Sequence, residues 1–277
     1  MKTLLCCMVR QENQYLREYV EYYKSLGFDN IVIYDNNRDG EEHVEEVLND
    51  YIVNGYVIVE DYRNRTMCQP DGYTHCYNKY GQYYDWIAVF DCDEFLTLPM
   101  HREIHNYLNE PIFNAFNVIL VNWMIYGDSN MLENDGRPVL ERFTEPVPFD
   151  QHIAYSWPED FHTKSIVRTK QNGVIWPHTH RPILCPACNA VGKKVNDSSG
   201  FIFVPYDFTV AYLRHYSTKT ADEYAHKMMR GFADQELNQS RIQELIETRF
   251  FRTNKITKEK VEIFKNKLNI DMSYLLQ

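Results

Sequence analysis

The sequence predicts an α/β fold, in which a mixed sheet is flanked by helices and followed by C-terminal helices. Short, continuously apolar runs, typical of buried strands, alternate with segments whose apolar residues recur at helical spacing. The connections between them are short, which favours parallel strands joined by right-handed crossovers. After about residue 220 the chain is amphipathic and helical. In sheets of this kind, ligands bind at the carboxyl ends of the parallel strands.

The first part of the chain alternates strand and helix segments. The strand segments are TLLCCMV (3–9), NIVIYD (30–35), YVIVEDY (56–62) and DWIAVFD (85–91). The helix segments are ENQYLREYVEYYKSLG (12–27), EEHVEEVLNDYIVNG (41–55) and DGYTHCYNKYGQYY (71–84). Gly27 and Gly55 are expected to end the first two helices. The second, third and fourth strands end in YDNN, EDY and DCDE, which together predict a polar cleft.

Beyond residue 112 the pattern becomes irregular. The strand candidates there are FNAFNVILVNWMIYG (113–127), TKSIVRT (163–169), GVIWPHTH (173–180) and GFIFVP (200–205). Helical periodicity returns over 220–250, and TKEKVEIFKNKLNI (257–270) predicts a last helix that opens at Thr257. The sequence contains no internal repeat and no low-complexity linker, so one domain is expected over residues 1–277.

The composition is that of a globular protein, and the charge disfavours one class of partner. The formal net charge of -10 argues against nucleic-acid binding, which needs a basic surface. The N-terminal apolar run is short and interrupted by Arg10, unlike a secretory signal, and no stretch has the length of a membrane span. The seven cysteines are scattered, which predicts reduced thiols in a cytoplasmic chain.

Three acidic residues crowd the segment FDCDEF, directly after the fourth strand. In an extended segment, Asp91 and Asp93 would point to the same side and could share a divalent cation. Oxygen ligands suit Mn²⁺, Mg²⁺ or Ca²⁺ better than zinc, and a cation held by two side chains keeps room for a diphosphate. The ordinary alternative is a solvated strand end with a helix-capping aspartate.

Two other readings concern different chemistry. Aspartate-nucleophile phosphatases also place DxD after an apolar strand and would use Asp91 as nucleophile, but Phe95 stands where they have Thr or Val. The segment HTHRPILCPAC offers zinc-type ligands, although its spacing is not that of a common zinc finger. Its candidate ligands are His178, His180, Cys185 and Cys188. A variable loop that brings a histidine near the acceptor or the metal is the alternative.

Several stretches, in this order, resemble glycosyltransferase family 92 and its family-2-like relatives. They are VRQENQYLREYVEYYKSLGFDNIVIYDNNRDG, HCYNKYGQYYDWIAVFDCDEFL, VLERF, TKSIV and LRHYSTKTADEYAHKMMRG, and they span about residues 9–231. The resemblance implies a GT-A fold, a nucleotide-sugar donor, a DxD-bound divalent metal (Mn²⁺ or Mg²⁺) and transfer with inversion. It also divides the expected single domain into a nucleotide-binding half (1–111), an acceptor-side half (112–219) and C-terminal helices (220–277).

The resemblance assigns roles to individual residues. Asp91 and Asp93 match the DxD pair that holds the metal and the donor diphosphate, and His215 matches a residue that returns to the metal. Asp35 matches the acidic residue that faces the nucleotide base. The remaining residues expected at the nucleotide are Arg10, Glu12, Lys219 and Arg230. Lys164, in TKSIV, matches a family position without a stated role, and an inward lysine there could lie near phosphate.

Glycosyl transfer also needs a general base for the acceptor hydroxyl. Asp160 or Glu159, in a loop before a strand, is the expected base, and a solvated loop is the alternative. Glu94 is a second candidate, or a residue that only orients metal ligands. Aromatic residues that could stack on a sugar, although such residues are more often core, are Trp123, Tyr126 and Trp157.

The expected function is therefore that of an inverting, metal-dependent hexosyltransferase. The best expectation is galactose from UDP-galactose, moved onto a hydroxyl of a glycan or lipid-linked oligosaccharide in bacterial surface polysaccharide synthesis. The expected location is cytoplasmic, at the inner face of the membrane, where the lysine-containing C-terminal helix could touch anionic lipid. The alternatives are an aspartate-nucleophile phosphohydrolase and a carbohydrate-binding protein without activity on a transferase fold.

Overall fold

The computed structural model describes residues 1–148, 162–169, 186–195, 207–233 and 237–277. In these residues, ten strands are assigned: β1 (Thr3–Val9), β2 (Asn30–Asp35), β3 (Val57–Asp61), β4 (Trp86–Val89), β5 (Glu94–Thr97), β6 (Val118–Ile125), β7 (Thr163–Arg168), β8 (Ala187–Asn189), β9 (Lys194–Val195) and β10 (Tyr212–His215).

The helices of the described residues vary in length from about one turn to more than three turns. They are α1 (Asn13–Ser25), α2 (Glu45–Val53), α3 (Gln69–Tyr80), α4 (Ile104–Leu108), α5 (Val139–Arg142), α6 (Ala221–Arg230), α7 (Gln239–Leu245), α8 (Phe251–Thr253) and α9 (Lys258–Leu268). A π-helical turn, Ile246–Phe250, joins α7 to α8, and two 3-10 turns lie at Pro111–Ala115 and Ser273–Leu276. No helix among the described residues combines the length and apolarity that a membrane crossing requires.

The strands form one mixed sheet with the order β3-β2-β1-β4-β7-β6-β10-β5. Strands β1 to β4 run parallel, as expected for strands separated by helical crossovers. The pairs β4–β7, β6–β7 and β5–β10 are antiparallel, while β8 pairs parallel to β6 and also holds β9. The central strand β1 is buried along its whole length, which explains its unbroken apolar sequence.

Two compact units can be distinguished by their internal contacts. The first contains Met1–Met124 and the described residues of 149–215, and its core is built on the sheet. The second contains Ile125–Pro148 and the described residues of 216–277. Its core is aromatic and aliphatic, with Tyr224, Phe250 and Phe264 packed together at the centre. The prediction of one domain with three sections stays a prediction, since two contact clusters can belong to one folded domain.

The predicted fold class, a mixed α/β sheet flanked by helices and followed by C-terminal helices, is confirmed. Strands β1 and β2 have the predicted bounds, and α9 begins after Thr257, whose side chain accepts a hydrogen bond from the Lys260 N–H. The strand candidates at 173–180 and 200–205 lie outside the described residues. Strands β5 and β10 were not predicted.

Candidate functional site

The acidic segment FDCDEF forms a turn between two strands. Strand β4 ends at Val89, and β5 begins at Glu94, whose backbone N–H donates to the Asp91 carbonyl at 3.0 Å. The premise that this segment is extended, with Asp91 and Asp93 on one side, is therefore wrong. Period-two alternation ends where the strand ends, and the turn gives the two aspartates different partners.

Asp91 is held from three sides. The Lys164 ammonium, from β7, lies 2.6 Å from Oδ2, and the Tyr73 hydroxyl, from α3, donates to Oδ1 at 2.9 Å. Gln69, one helical turn before Tyr73, donates its amide N–H to the same hydroxyl at 3.0 Å. The Asp91 backbone N–H donates to Glu94 Oε2 at 2.9 Å. Asp91 is thus part of a network that joins α3, β7 and the turn.

Asp93, Glu94 and His215 form the group that could hold a metal ion. Each offers one ligand atom, and the three atoms lie within 4.8 Å of one another. All three residues are buried, and the Asp93 carboxylate lies 3.7 Å from His215 Nε2. The antiparallel pairing of β5 with β10 sets His215 directly opposite Glu94. Strand pairing, rather than sequence proximity, therefore brings the histidine to the turn.

Trp123 packs against the candidate metal-binding histidine. Its ring centroid lies 4.2 Å from that of His215 and 5.3 Å from that of His162, which is stacked at 18°. The Trp123 backbone N–H donates to the His162 carbonyl at 3.1 Å. This packing restricts the rotation of the His215 ring. A role of Trp123 in sugar stacking stays a prediction.

The charges of the site depend strongly on burial. Burial alone would raise the pKa of Asp91, but the neighbouring Lys164 ammonium holds it below its ordinary value. For Glu94, burial dominates and raises the pKa well above its ordinary value, since Lys164 is 3.7 Å away and offsets only part of the cost. Burial would lower the pKa of Lys164, but Asp91 and Glu94 raise it. Lys164 is therefore a cation at neutral pH.

Glu94 has one carboxylate oxygen without a hydrogen bond. Its side chain is fully buried, and Oε1 has no hydrogen-bond partner among the described residues. A buried carboxylate oxygen in this state is costly unless a cation or a proton satisfies it. The group of Asp93, Glu94 and His215 fits a divalent cation such as Mn²⁺ or Mg²⁺, which accepts oxygen ligands and imidazole.

Tyrosines from α1 support the turn and β5. The Tyr19 hydroxyl donates to the Phe90 carbonyl at 3.0 Å, before the turn. The Tyr23 hydroxyl donates to the Glu94 carbonyl at 2.7 Å and accepts from the Leu96 N–H at 3.0 Å. Both side chains are fully buried. Tyr23 satisfies two backbone groups on β5, and Tyr19 satisfies a carbonyl between β4 and the turn.

Replacing Tyr23 by Phe should lower the free energy of unfolding by about 1–3 kcal/mol, because two buried backbone groups lose their partner. Urea denaturation followed by circular dichroism measures this loss. Tyr83, which is 62% exposed, provides the matched control, and Tyr83→Phe should change the same quantity by less than about 0.5 kcal/mol. Equal losses in the two variants would show that the Tyr23 hydroxyl does not support β5.

Three residues expected at the nucleotide follow the parallel strands β1 and β2. Asp35, the last residue of β2, is buried and lies 3.0 Å from Arg63. Arg10 follows β1 and pairs with Glu41 at 2.8 Å; burial would raise the pKa of Glu41, but Arg10 lowers it to about 2. Glu12 is also buried at this edge. The nucleotide roles of these residues stay predictions.

The other predicted residues belong to the second unit, to β8 or to the part of the chain that the structure does not describe. Lys219 and Arg230 belong to the second unit, where Lys219 is buried with φ +50° and Arg230 ends α6. Tyr126 packs on Tyr216 in that unit, with ring centroids 4.8 Å apart, as a core residue would. The predicted residues outside the described part of the chain are Glu159, Asp160, Trp157, His178, His180 and Cys185. Cys188 is described and buried, as part of β8.

Two site residues were missed or left without a role. Tyr73 lies in a segment that was predicted only to be helical, and its contact with Asp91 joins positions 18 residues apart. Lys164 matches a family position without a stated role, and its ammonium pairs with Asp91, 73 positions away in the sequence. A lysine in a buried strand, TKSIVR, is the signal that could have indicated an acidic partner.

Comparison with known proteins identifies a family. The family described as "Glycosyltransferase family 92" matches residues 2–252 of this chain. A family 92 protein of Oryza sativa subsp. japonica is 31% identical over 104 residues, which cover 38% of this chain and 18% of that protein. One of Ricinus communis is 30% identical over 125 residues, covering 45% of this chain and 20% of that protein. The matches thus span about a fifth of the length of these curated relatives.

Solved structures of S. aureus TarS are also similar. One, residues 1–349 in complex with UDP-GlcNAc, has a TM-score of 0.43 and 11% identity, and the match covers 97% of this chain and 80% of that chain. Another TarS structure has a TM-score of 0.41 and 13% identity, and the match covers 97% of this chain and 48% of that chain.

Proposed function

This chain belongs to glycosyltransferase family 92, and from that premise we propose that it is an inverting, metal-dependent hexosyltransferase that uses a UDP-sugar donor. The observation that carries the proposal is the buried group of Asp93, Glu94 and His215 at the turn that follows β4. Strand β4 is one of the parallel strands, so this turn lies at a carboxyl end of the sheet, where α/β folds bind their ligands.

Asp93, Glu94 and His215 would hold the cation, which we propose to be Mn²⁺ or Mg²⁺. When bound, such a cation supplies positive charge next to the diphosphate, on which negative charge develops as the sugar leaves. This proposal retains Asp93 and His215 from the sequence prediction and replaces Asp91 by Glu94. The reason is that Asp91 already pairs with Lys164, whereas Glu94 Oε1 makes no hydrogen bond within the described residues.

The nucleoside would bind where β1 and β2 end. Asp35, Arg10 and Glu12 lie at this edge and offer both charge signs for the base, the ribose and the phosphates. A chain with a net charge of -10 needs local cations to bind an anionic donor. Lys219 and Arg230 are proposed as further cations for the donor.

The acceptor hydroxyl would lose its proton to Asp160 or Glu159, on the side of the sugar opposite the diphosphate. Glu94 is the weaker candidate for this base. Its side chain has no exposed surface, and its Oε2 already accepts from the Asp91 N–H, so it has no path to an acceptor. Its burial supports the alternative that it orients and holds the metal.

The finer features of the proposal come from the sequence analysis and the family resemblance. They are galactose from UDP-galactose as the donor, a glycan or lipid-linked oligosaccharide as the acceptor, and bacterial surface polysaccharide as the product. A cytoplasmic location, with a peripheral contact at the inner membrane face, completes the proposal. Membership of a glycosyltransferase family favours transfer over both phosphohydrolase activity with Asp91 as nucleophile and sugar binding without catalysis.

A panel of UDP- and GDP-sugars, screened for thermal stabilisation with Mn²⁺ or EDTA, tests the proposed function. We expect UDP-galactose with Mn²⁺ to raise Tm by roughly 5 °C at a hundredfold excess over Kd, because the ligand binds only the folded chain. EDTA should abolish the shift. The product of a transfer reaction should then have the inverted anomeric configuration.

Three results would contradict parts of this proposal. An equal shift from UDP-sugars in EDTA would remove the metal from donor binding. No shift with any nucleotide sugar, together with phosphate release from an aryl phosphate, would replace transfer by hydrolysis. Affinity for a free glycan without affinity for any nucleotide would favour the binding protein.

A further inference from the structure

The three carboxylates of the acidic turn carry more negative charge than one divalent cation would balance. Asp91, Asp93 and Glu94 lie within four sequence positions, and Asp93 and Glu94 are almost completely buried. Each carboxylate raises the cost of ionising its neighbours. One divalent cation on Asp93, Glu94 and His215 would offset two of these three charges. With all three carboxylates ionised and one divalent cation bound, one further positive charge would balance the turn.

Lys164 supplies that charge from a neighbouring strand. Its side chain is 4% exposed, and its Nζ lies 2.6 Å from Asp91 Oδ2 and 3.7 Å from Glu94 Oε1. The pairing of β4 with β7 places Ser165 opposite Val89, so Lys164 comes level with the end of β4. The ammonium thus belongs to the sheet itself and does not depend on a bound ligand.

The other partners of Asp91 keep it directed toward Lys164. The Tyr73 hydroxyl occupies Oδ1, while Lys164 occupies Oδ2. Both oxygens of Asp91 are therefore engaged by the protein. The oxygen of Glu94 that has no hydrogen bond, Oε1, lies 3.7 Å from the same ammonium. Asp91 therefore pairs with Lys164, whereas Asp93, Glu94 and His215 form the group that could bind a metal.

We infer that Lys164 is a positioning residue that acts as a built-in cation: it occupies Asp91, limits the site to one divalent cation and directs that cation to Asp93, Glu94 and His215. This inference rests on the proposed function, since it concerns the same metal. Its consequence is a charge balance, in which one ammonium and one divalent cation offset three carboxylates. Removing the ammonium should make the turn bind a divalent cation more tightly but in an altered position.

Titration of the metal-free, full-length chain with Mn²⁺, in the absence of nucleotide, tests this inference. Electron paramagnetic resonance of free Mn²⁺ gives the number of sites and the Kd. We expect one site in the wild type, and at least about tenfold tighter binding in Lys164→Met, because a positive charge beside the cation is lost. Transfer by Lys164→Met should be slower than by the wild type, although its metal is bound more tightly.

A double variant keeps the test informative if Lys164→Met does not fold. Lys164→Met with Asp91→Asn restores the net charge of the turn, so its Kd for Mn²⁺ should return to within about threefold of the wild type. If Asp91 were itself a metal ligand, the double variant would instead bind Mn²⁺ at least about tenfold more weakly. That result would overturn the inference.

Lys194, an exposed lysine in β9, provides the matched control. Lys194→Met should leave both the Mn²⁺ affinity and the transfer rate unchanged. Equal Mn²⁺ affinity in the wild type and in Lys164→Met would overturn the role of Lys164 while the proposed function stands. A wild-type chain that binds no Mn²⁺ would overturn the metal site and this inference together.

Discussion

Replacing Asp93 by Asn should reduce metal-dependent glycosyl transfer by on the order of a hundredfold to a thousandfold. The substitution keeps the size of the side chain but removes one of the three charged or imidazole ligands of the proposed cation. It also removes the carboxylate that lies 3.7 Å from His215. Binding of UDP should therefore lose its dependence on Mn²⁺. Steady-state kinetics and calorimetric titration of UDP with and without Mn²⁺ measure the two effects.

Asp50, an exposed aspartate on α2, provides the control for this variant. Its side chain is 58% exposed and pairs with Arg17, so Asp50→Asn removes the same charge from the chain without touching the turn. It should retain the wild-type transfer rate within about a factor of two, as for other surface substitutions. If Asp93→Asn kept Mn²⁺-dependent transfer at the wild-type rate, the cation would bind elsewhere and the proposed ligand set would be wrong.

The fold could be predicted from sequence wherever burial gives a clear period. Strands β1 and β2 are almost entirely apolar because both faces of the sheet are covered, and their bounds followed from composition alone. Strands β5 and β10 have four residues each, and their pairing places Arg214 opposite Phe95 and His215 opposite Glu94. Such short strands with polar residues have no distinctive pattern. Contacts between distant segments, which a local pattern does not show, stabilise them.

The candidate site could be predicted only where local residue type and position in the sequence indicate it. Residue type and position after a strand indicated Asp93 as a metal ligand, and the family resemblance indicated His215. The structure brings these two residues together with Glu94. The pairing of Asp91 with Lys164 could not be derived, because it depends on the register between β4 and β7. A local pattern also could not show that residues 91–93 turn rather than extend.

The second unit contains a buried ion pair between two of the stretches on which the family resemblance rests. Arg142, in VLERF, donates two parallel hydrogen bonds to Glu223, in TADEY, at 2.8 and 2.9 Å. The side chains are 1% and 5% exposed. Glu223 also accepts from the Thr220 hydroxyl and backbone N–H, which completes a capping box at the start of α6. The pair therefore joins α5 to the beginning of α6.

Replacing Arg142 by Met should lower the free energy of unfolding by about 3–5 kcal/mol, because the Glu223 carboxylate would stay buried without its cation. Denaturation with urea, followed by circular dichroism and by intrinsic fluorescence, measures this loss. Arg137, in the same segment, forms an exposed pair with Asp135 and is 55% exposed. Arg137→Met should therefore cost less than about 1 kcal/mol.

A second substitution distinguishes two causes of this loss of stability: the unpaired charge of Glu223 and the lost packing of the Arg142 side chain. In Arg142→Met with Glu223→Gln, the buried charge is gone, and the glutamine can still accept from the Thr220 N–H as the third residue of a capping box. A large part of the stability should return, since neutral partners avoid the cost of an unpaired buried ion. If the double variant were as unstable as Arg142→Met, the packing of the Arg142 side chain, rather than its charge, would stabilise this unit.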